Sequence, residues 1–149
     1  MSNASQVYDA IRARLAANTT LPLRFQNEDP PTLEDRPATF VYVTLDIDRG
    51  RMVGFGGGAT KNLYRSQCAL TLYVFVPRGE GFKSAMDKAE TLALIFRSYR
   101  DPTDLFMATA ASPIPGGSGS VIAPPGVDSE VDNYFWAAVD IDLHFDQVG

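Results

Sequence analysis

Apolar and polar positions alternate most cleanly near the end of the chain. From Asn133 to Asp146, Phe135, Ala137, Val139, Ile141, Leu143 and Phe145 point one way, and Tyr134, Trp136, Asp140, Asp142, His144 and Asp146 the other. A period of two places successive side chains on opposite faces of extended backbone, so this stretch predicts a strand with one face in a core. The same period runs from Phe40 to Asp48, with Val41, Val43, Leu45 and Ile47 inward and Tyr42, Thr44, Asp46 and Asp48 outward. It returns in the stretch ending at Val76, where Cys68, Leu70, Leu72, Val74 and Val76 form the core set and Arg65, Gln67, Thr71, Tyr73 and Phe75 the opposite face. Between these two stretches lies Gly54-Phe55-Gly56-Gly57-Gly58, and two strands joined by a glycine-rich tip predict a long β-hairpin.

Elsewhere the period changes to that of a helix. Val7, Tyr8, Ile11 and Leu15 share one helical face behind Ser5, a candidate cap, and Asn18 to Pro22 ends the segment. Phe82, Ala85, Met86, Ala89, Leu92, Ala93, Phe96 and Tyr99 form a broader stripe, which Asp101-Pro102 stops. Leu23–Phe25 and Leu105–Thr109 read as short strands. Residues 27–37 hold three prolines and four acids, and residues 112–129 four prolines and four glycines in eighteen positions, so both read as irregular loops. The predicted order is helix, short strand, hairpin, helix, two strands. Two amphipathic helices need an apolar sheet face to cover. The expectation is an α+β fold: a mostly antiparallel sheet of about four to five strands, two helices on one face, and a long projecting β-hairpin. At 149 residues and 45% hydrophobic, the chain suits a single domain over 1–149 with one core.

Charge and cysteine content narrow the function classes. Thirteen Lys plus Arg against eighteen Asp plus Glu leave a formal charge of -5, a poor basis for gripping phosphate backbones. Cys68 is the single cysteine, so intramolecular disulfides and cysteine-based zinc sites drop out. The apolar runs fall short of a membrane span, and the first residues lack a signal-peptide pattern, which predicts a soluble intracellular protein without a membrane partner.

The constellations that carry chemistry are thin. A phosphate loop at Gly54–Gly58 needs a helix directly after it, whose amides meet the phosphate; here strand precedes and strand follows. Asp140, Asp142 and His144 at i, i+2, i+4, with Asp46 and Asp48 on a neighbouring strand, offer a metal-ligating set, while the bland reading is a solvated sheet face. His144 is the single histidine, which weighs against a Ser-His-Asp triad. The expectation is therefore no enzyme, no catalytic residue, no cofactor and no metal. Two surface groups are more informative. The aromatics Tyr73, Phe75, Tyr134 and Trp136 lie opposite their strands' core sets, where they are covered by their own chain or meet a partner. Arg49, Arg51, Lys61 and Arg65 cluster at the hairpin tip, away from Asp46, Asp48, Asp140, Asp142 and Asp146. Segregated opposite charge suits head-to-tail contact between identical copies. Candidate subunit-interface residues are thus Arg51, Phe55, Gly56, Gly57, Gly58, Lys61, Arg65, Tyr73, Phe75, Tyr134 and Trp136; the candidate acidic face is Asp46, Asp48, Asp140 and Asp142.

The segment Gly56-Gly57-Gly58-Ala59-Thr60-Lys61-Asn62-Leu63-Tyr64-Arg65, leading into Leu72-Tyr73-Val74-Phe75-Val76-Pro77-Arg78-Gly79-Glu80-Gly81, resembles the tail terminator and tail-completion proteins of tailed bacteriophages. So do the helix carrying Ala89 to Arg97, the closing Asn133-Tyr134-Phe135-Trp136 and the early Asn27-Glu28-Asp29-Pro30-Pro31, across about residues 6–146. The resemblance implies a virion structural protein that forms a hexameric ring, though the free chain can be monomeric. The ring would cap the tail tube, end its growth and meet tube and head-completion proteins. DNA would pass without specific binding; that the acidic face lines its path is an expectation from the charge pattern, not from the resemblance. The implied location is the virion tail, and the host cytoplasm during assembly. Two other functions remain open: another head-tail connector or minor tail component, and a small-molecule or metal-binding module built on the aromatic face with Asp140, Asp142 and His144.

Overall fold

The computed structural model describes residues 3–26, 39–48, 50–54, 58, 61–77, 79, 81–103, 105–118 and 134–148. The element order is α1 (Ala4–Asn18), β1 (Leu23–Phe25), β2 (Phe40–Ile47), β3 (Arg51–Gly54), β4 (Leu63–Pro77), α2 (Phe82–Phe96), β5 (Met107–Ser118) and β6 (Tyr134–Val148). One sheet holds all six strands in the order β1-β2-β4-β6-β5, with β3 pairing β4 beyond the end of β2. Every pairing is antiparallel except β1 with β2. This is the expected α+β architecture, with six strands because the hairpin's first arm is split into β2 and β3 near Gly50. A Cβ at Gly50 would stand 3.1 Å from the Ser66 hydroxyl oxygen, a close approach that glycine relieves.

The helices share one side of the sheet. Val7, Ile11 and Leu15 of α1, Ala85, Ala89, Leu92, Ala93 and Phe96 of α2, and the inward residues of β2, β4 and β6 form one apolar cluster. That cluster is the sequence's alternation made physical, since burial of apolar area is the dominant favourable term in folding. Arg14 joins the helices: its guanidinium lies 3.9 Å from the Tyr99 ring centroid and donates to the Ile95 carbonyl at 2.9 Å.

Local chemistry sets the element ends, in places differently from the sequence reading. Asn3 caps α1 in place of Ser5: its side chain accepts from the Gln6 amide at 2.9 Å, and Gln6 answers by accepting from the Asn3 amide at 3.0 Å. Helix α2 stops at Phe96, before Asp101-Pro102: Arg97 turns extended with ψ 119°, and Ser98 follows with a positive φ of 56°. Tyr99 still reaches the core, its ring 6.4 Å from Phe96 and 5.7 Å from Phe106. Phe82, expected on the buried stripe, is 55% exposed. The largest correction is β5, which runs to Ser118 through residues 112–118 of the expected 112–129 loop. Pro113 and Pro115 are compatible with a strand there because β5 is the sheet's edge, where an amide is not needed on the outer side. The rest of that expected loop, and the expected 27–37 loop, lie outside the described residues.

Candidate functional site

The sheet face turned away from the helices carries the candidate residues, and the strand register orders them into rows. Phe40, Phe75 and Trp136 form the first row across β2, β4 and β6. Tyr42, Tyr73 and Ala138 form the second, continued by Ile114 of β5. The third is Thr44, Thr71, Asp140 and Ser112; the fourth is Asp46, Ala69, Asp142 and Ala110. Gln67, His144 and Met107 follow, and Arg51, Arg65 and Asp146 close the face at the hairpin. One surface thus passes from aromatic to acidic to mixed charge along the strands.

The aromatic rows make a second, smaller apolar cluster of Phe40, Phe75, Trp136 and Ala138, flanked by Tyr42 and Tyr73. Phe40 stacks on Phe75 at 4.8 Å between centroids, Trp136 meets Tyr73 edge-on at 5.5 Å, and the Arg24 guanidinium lies 4.5 Å from the Phe40 centroid. Phe75 is fully buried and Trp136 only 8% exposed. This corrects the interface expectation for Phe75 and Trp136: the two rings are enclosed in their own chain's packing and are not free to meet another copy. Tyr73 is half-buried, and burial, with help from Asp140 and Tyr42, pushes its phenol above the usual range. Tyr134 holds its place in β6 opposite Pro77, but its side chain lies outside the described residues. Phe40 and Arg24 complete the cluster without having been foreseen. The outward parity of both was legible and so was the β2–β4 hairpin, but that β1 lies beside β2 and β6 beside β4 was not.

The acidic rows bring together three of the four expected carboxylates. Asp46 and Asp142 flank Ala69, and Asp140 accepts from the Thr71 hydroxyl at 3.2 Å. Asp46, Asp140 and Asp142 are exposed, and their two rows contain no Lys or Arg. Asp48 lies one residue beyond β2 and donates its amide to the Gln67 carbonyl at 2.9 Å. Depressions beside these residues are lined by Asp46, Asp48, Gln67, Ala69 and Asp142, and by Gln67, Thr109, Asp142 and His144. Among the described residues no group of three His, Cys, Asp or Glu side chains is placed to hold a metal ion. Cys68 is buried on the helix side, and burial followed by the Asp46 charge pushes its thiol up to about 11.

The hairpin end departs from simple charge segregation. Arg65 makes a bidentate pair with Asp146 across β4 and β6, at 2.8 and 3.0 Å. That hydrogen bond holds the Asp146 carboxyl below the usual carboxylate range. Arg65 is therefore engaged with Asp146 within its own chain while its side chain stays exposed. Arg51 stands directly opposite Arg65 in the register. Arg51 and Lys61 are exposed and make no ion pair among the described residues. Gly58 has a φ of 81° in open space, as a turn glycine does. Phe55, Gly56 and Gly57 lie outside the described residues. No helix among them is long and apolar enough to cross a membrane.

No family model and no curated protein matches this chain. A solved structure known only by a sequence identifier aligns over 95% of both chains at 18% identity with a TM-score of 0.41. A likeness that shallow carries no argument about function.

Proposed function

We propose that this chain is a structural protein of a tailed-phage virion, a tail terminator that assembles head to tail into a ring, caps the tail tube and helps join tail to head. It has no cofactor in this reading and catalyses nothing. The observation that carries the reading is the β3 arm of the hairpin. Arg51, Met52 and Val53 are all exposed, and no β3 residue belongs to either apolar cluster. A limb that adds nothing to its own core and displays Met52 and Val53 at 51% exposure each suits contact with another chain better than a ligand pocket. A ring needs a heterologous contact, and a limb at one end of a sheet supplies one side of it. The net charge of -5 supports DNA sliding past without being held.

The test is electron microscopy of tails from a phage lacking the gene. Overlong, headless tails are expected, with normal length restored by supplying the chain. Tails of normal length in the deletion would overturn termination.

A further inference from the structure

We propose that the β3 limb docks on the outer sheet face of a second copy of this chain, its Arg51 and Lys61 lying against that copy's Asp46, Asp140 and Asp142. The inference rests on the ring reading above and names its contact; it places the acidic rows in a subunit contact, not on a lumen wall.

Three features of the molecule converge on the limb. The first is apolar exposure. Ile47, Met52 and Val53 are 39%, 51% and 51% exposed within one seven-residue stretch, so the limb and its root present three large apolar side chains to solvent. The second is the sheet's edges. β5 carries Pro113 and Pro115, which remove backbone donors from that edge and discourage pairing with another sheet. β3 pairs only with β4 among the described residues, and its sequence Arg-Met-Val-Gly has no proline to blunt the other side. The sheet ends in β1 and β5; β5 is guarded, whereas the outer side of β3, off the main strand order, is not.

The third is charge, and it selects the occupant. Arg51 faces Arg65 across β3 and β4, a like-charge neighbour that costs stability. Asp146 answers Arg65, and nothing among the described residues answers Arg51 or Lys61. The same chain holds the complement: three exposed carboxylates in two adjacent rows without a cation. Each copy carries both halves of a pair it does not close within itself, since Arg51 sits at the hairpin end of the face and Asp140 and Asp142 lie further along it. A copy that offers its limb and receives another makes a heterologous contact. Its strength falls with salt, because exposed charges are screened.

The experiment is a charge swap read by sedimentation velocity, with circular dichroism confirming the fold of each variant. One variant carries Arg51→Glu and Lys61→Glu; the other carries Asp46→Lys and Asp142→Lys, leaving the Thr71–Asp140 hydrogen bond in place. Wild type is expected to self-associate at low salt and dissociate as salt rises. Each variant alone is expected to stay monomeric, because its own limb and face now repel. Mixing the two restores assembly, since the reversed limb of one attracts the reversed face of the other. Wild-type association that survives both swaps, or a mixture that stays monomeric, overturns this contact without touching the ring reading. A wild-type chain that remains monomeric at low salt and high concentration overturns the contact as well, and tail length in the deletion phage then decides the ring reading by itself.

Discussion

Trp136 shows how a residue can sit on the outer side of a sheet and still be core. Its ring meets Tyr73 edge-on and shares a row with Phe75 and Phe40, and it keeps only 8% of its surface. If the ring were an interface group, truncation would leave the isolated chain's stability near its original value. Because it is packed within the chain, Trp136→Ala is expected to cost about 3–5 kcal/mol, the range for large aromatics removed from a packed site. Urea denaturation of the monomeric chain checks this. Arg65 makes the opposite point. Its pair with Asp146 has good bidentate geometry but is exposed on both sides, so its worth stays within about 1 kcal/mol.

At the scale of elements, β5 is the informative strand. Its prolines look like loop signals, and in a central strand they would break the ladder. At an edge they remove only donors that no neighbour uses, and they keep other sheets away. Replacing Pro113 and Pro115 with threonine is therefore expected to preserve the fold while restoring outward amides. The double variant should show time-dependent aggregation by light scattering at concentrations where the parent stays clear. The β3 arm obeys the opposite logic, being short, unguarded and apolar at a place the core does not reach.

For the whole molecule, β4 couples the two sides. Leu70, Leu72, Val74 and Val76 enter the helix-covered core, while the intervening Tyr73 and Phe75 enter the aromatic cluster. Neither cluster can come apart without displacing the same backbone. Unfolding is expected to be a single cooperative transition in which the fluorescence of Trp136, the chain's one tryptophan, and far-ultraviolet circular dichroism change together. An earlier midpoint by fluorescence would mean that the aromatic face melts separately.

The amino-acid sequence determined by itself which residues share a face of each strand or helix, because period two and period 3.6 are properties of the backbone that hold before any partner is known. It therefore marked Val41 to Ile47, Cys68 to Val76 and Phe135 to Phe145 as strands with an inner face, the α2 stripe as a helix, and the α+β class; it did not foresee that Ile47 and Phe82 stay exposed. It also marked an outward aromatic set and an outward acidic set. It also paired β2 with β4 as a hairpin, but that β6 lies on the far side of β4 was beyond it, since that pairing joins residues as distant as Phe75 and Trp136. Only the tertiary structure could enclose two of the candidate interface rings, tie Arg65 to Asp146, and draw Pro113 into an edge strand. Burial and ion pairing depend on which surfaces end up side by side, and parity along the chain does not contain that information.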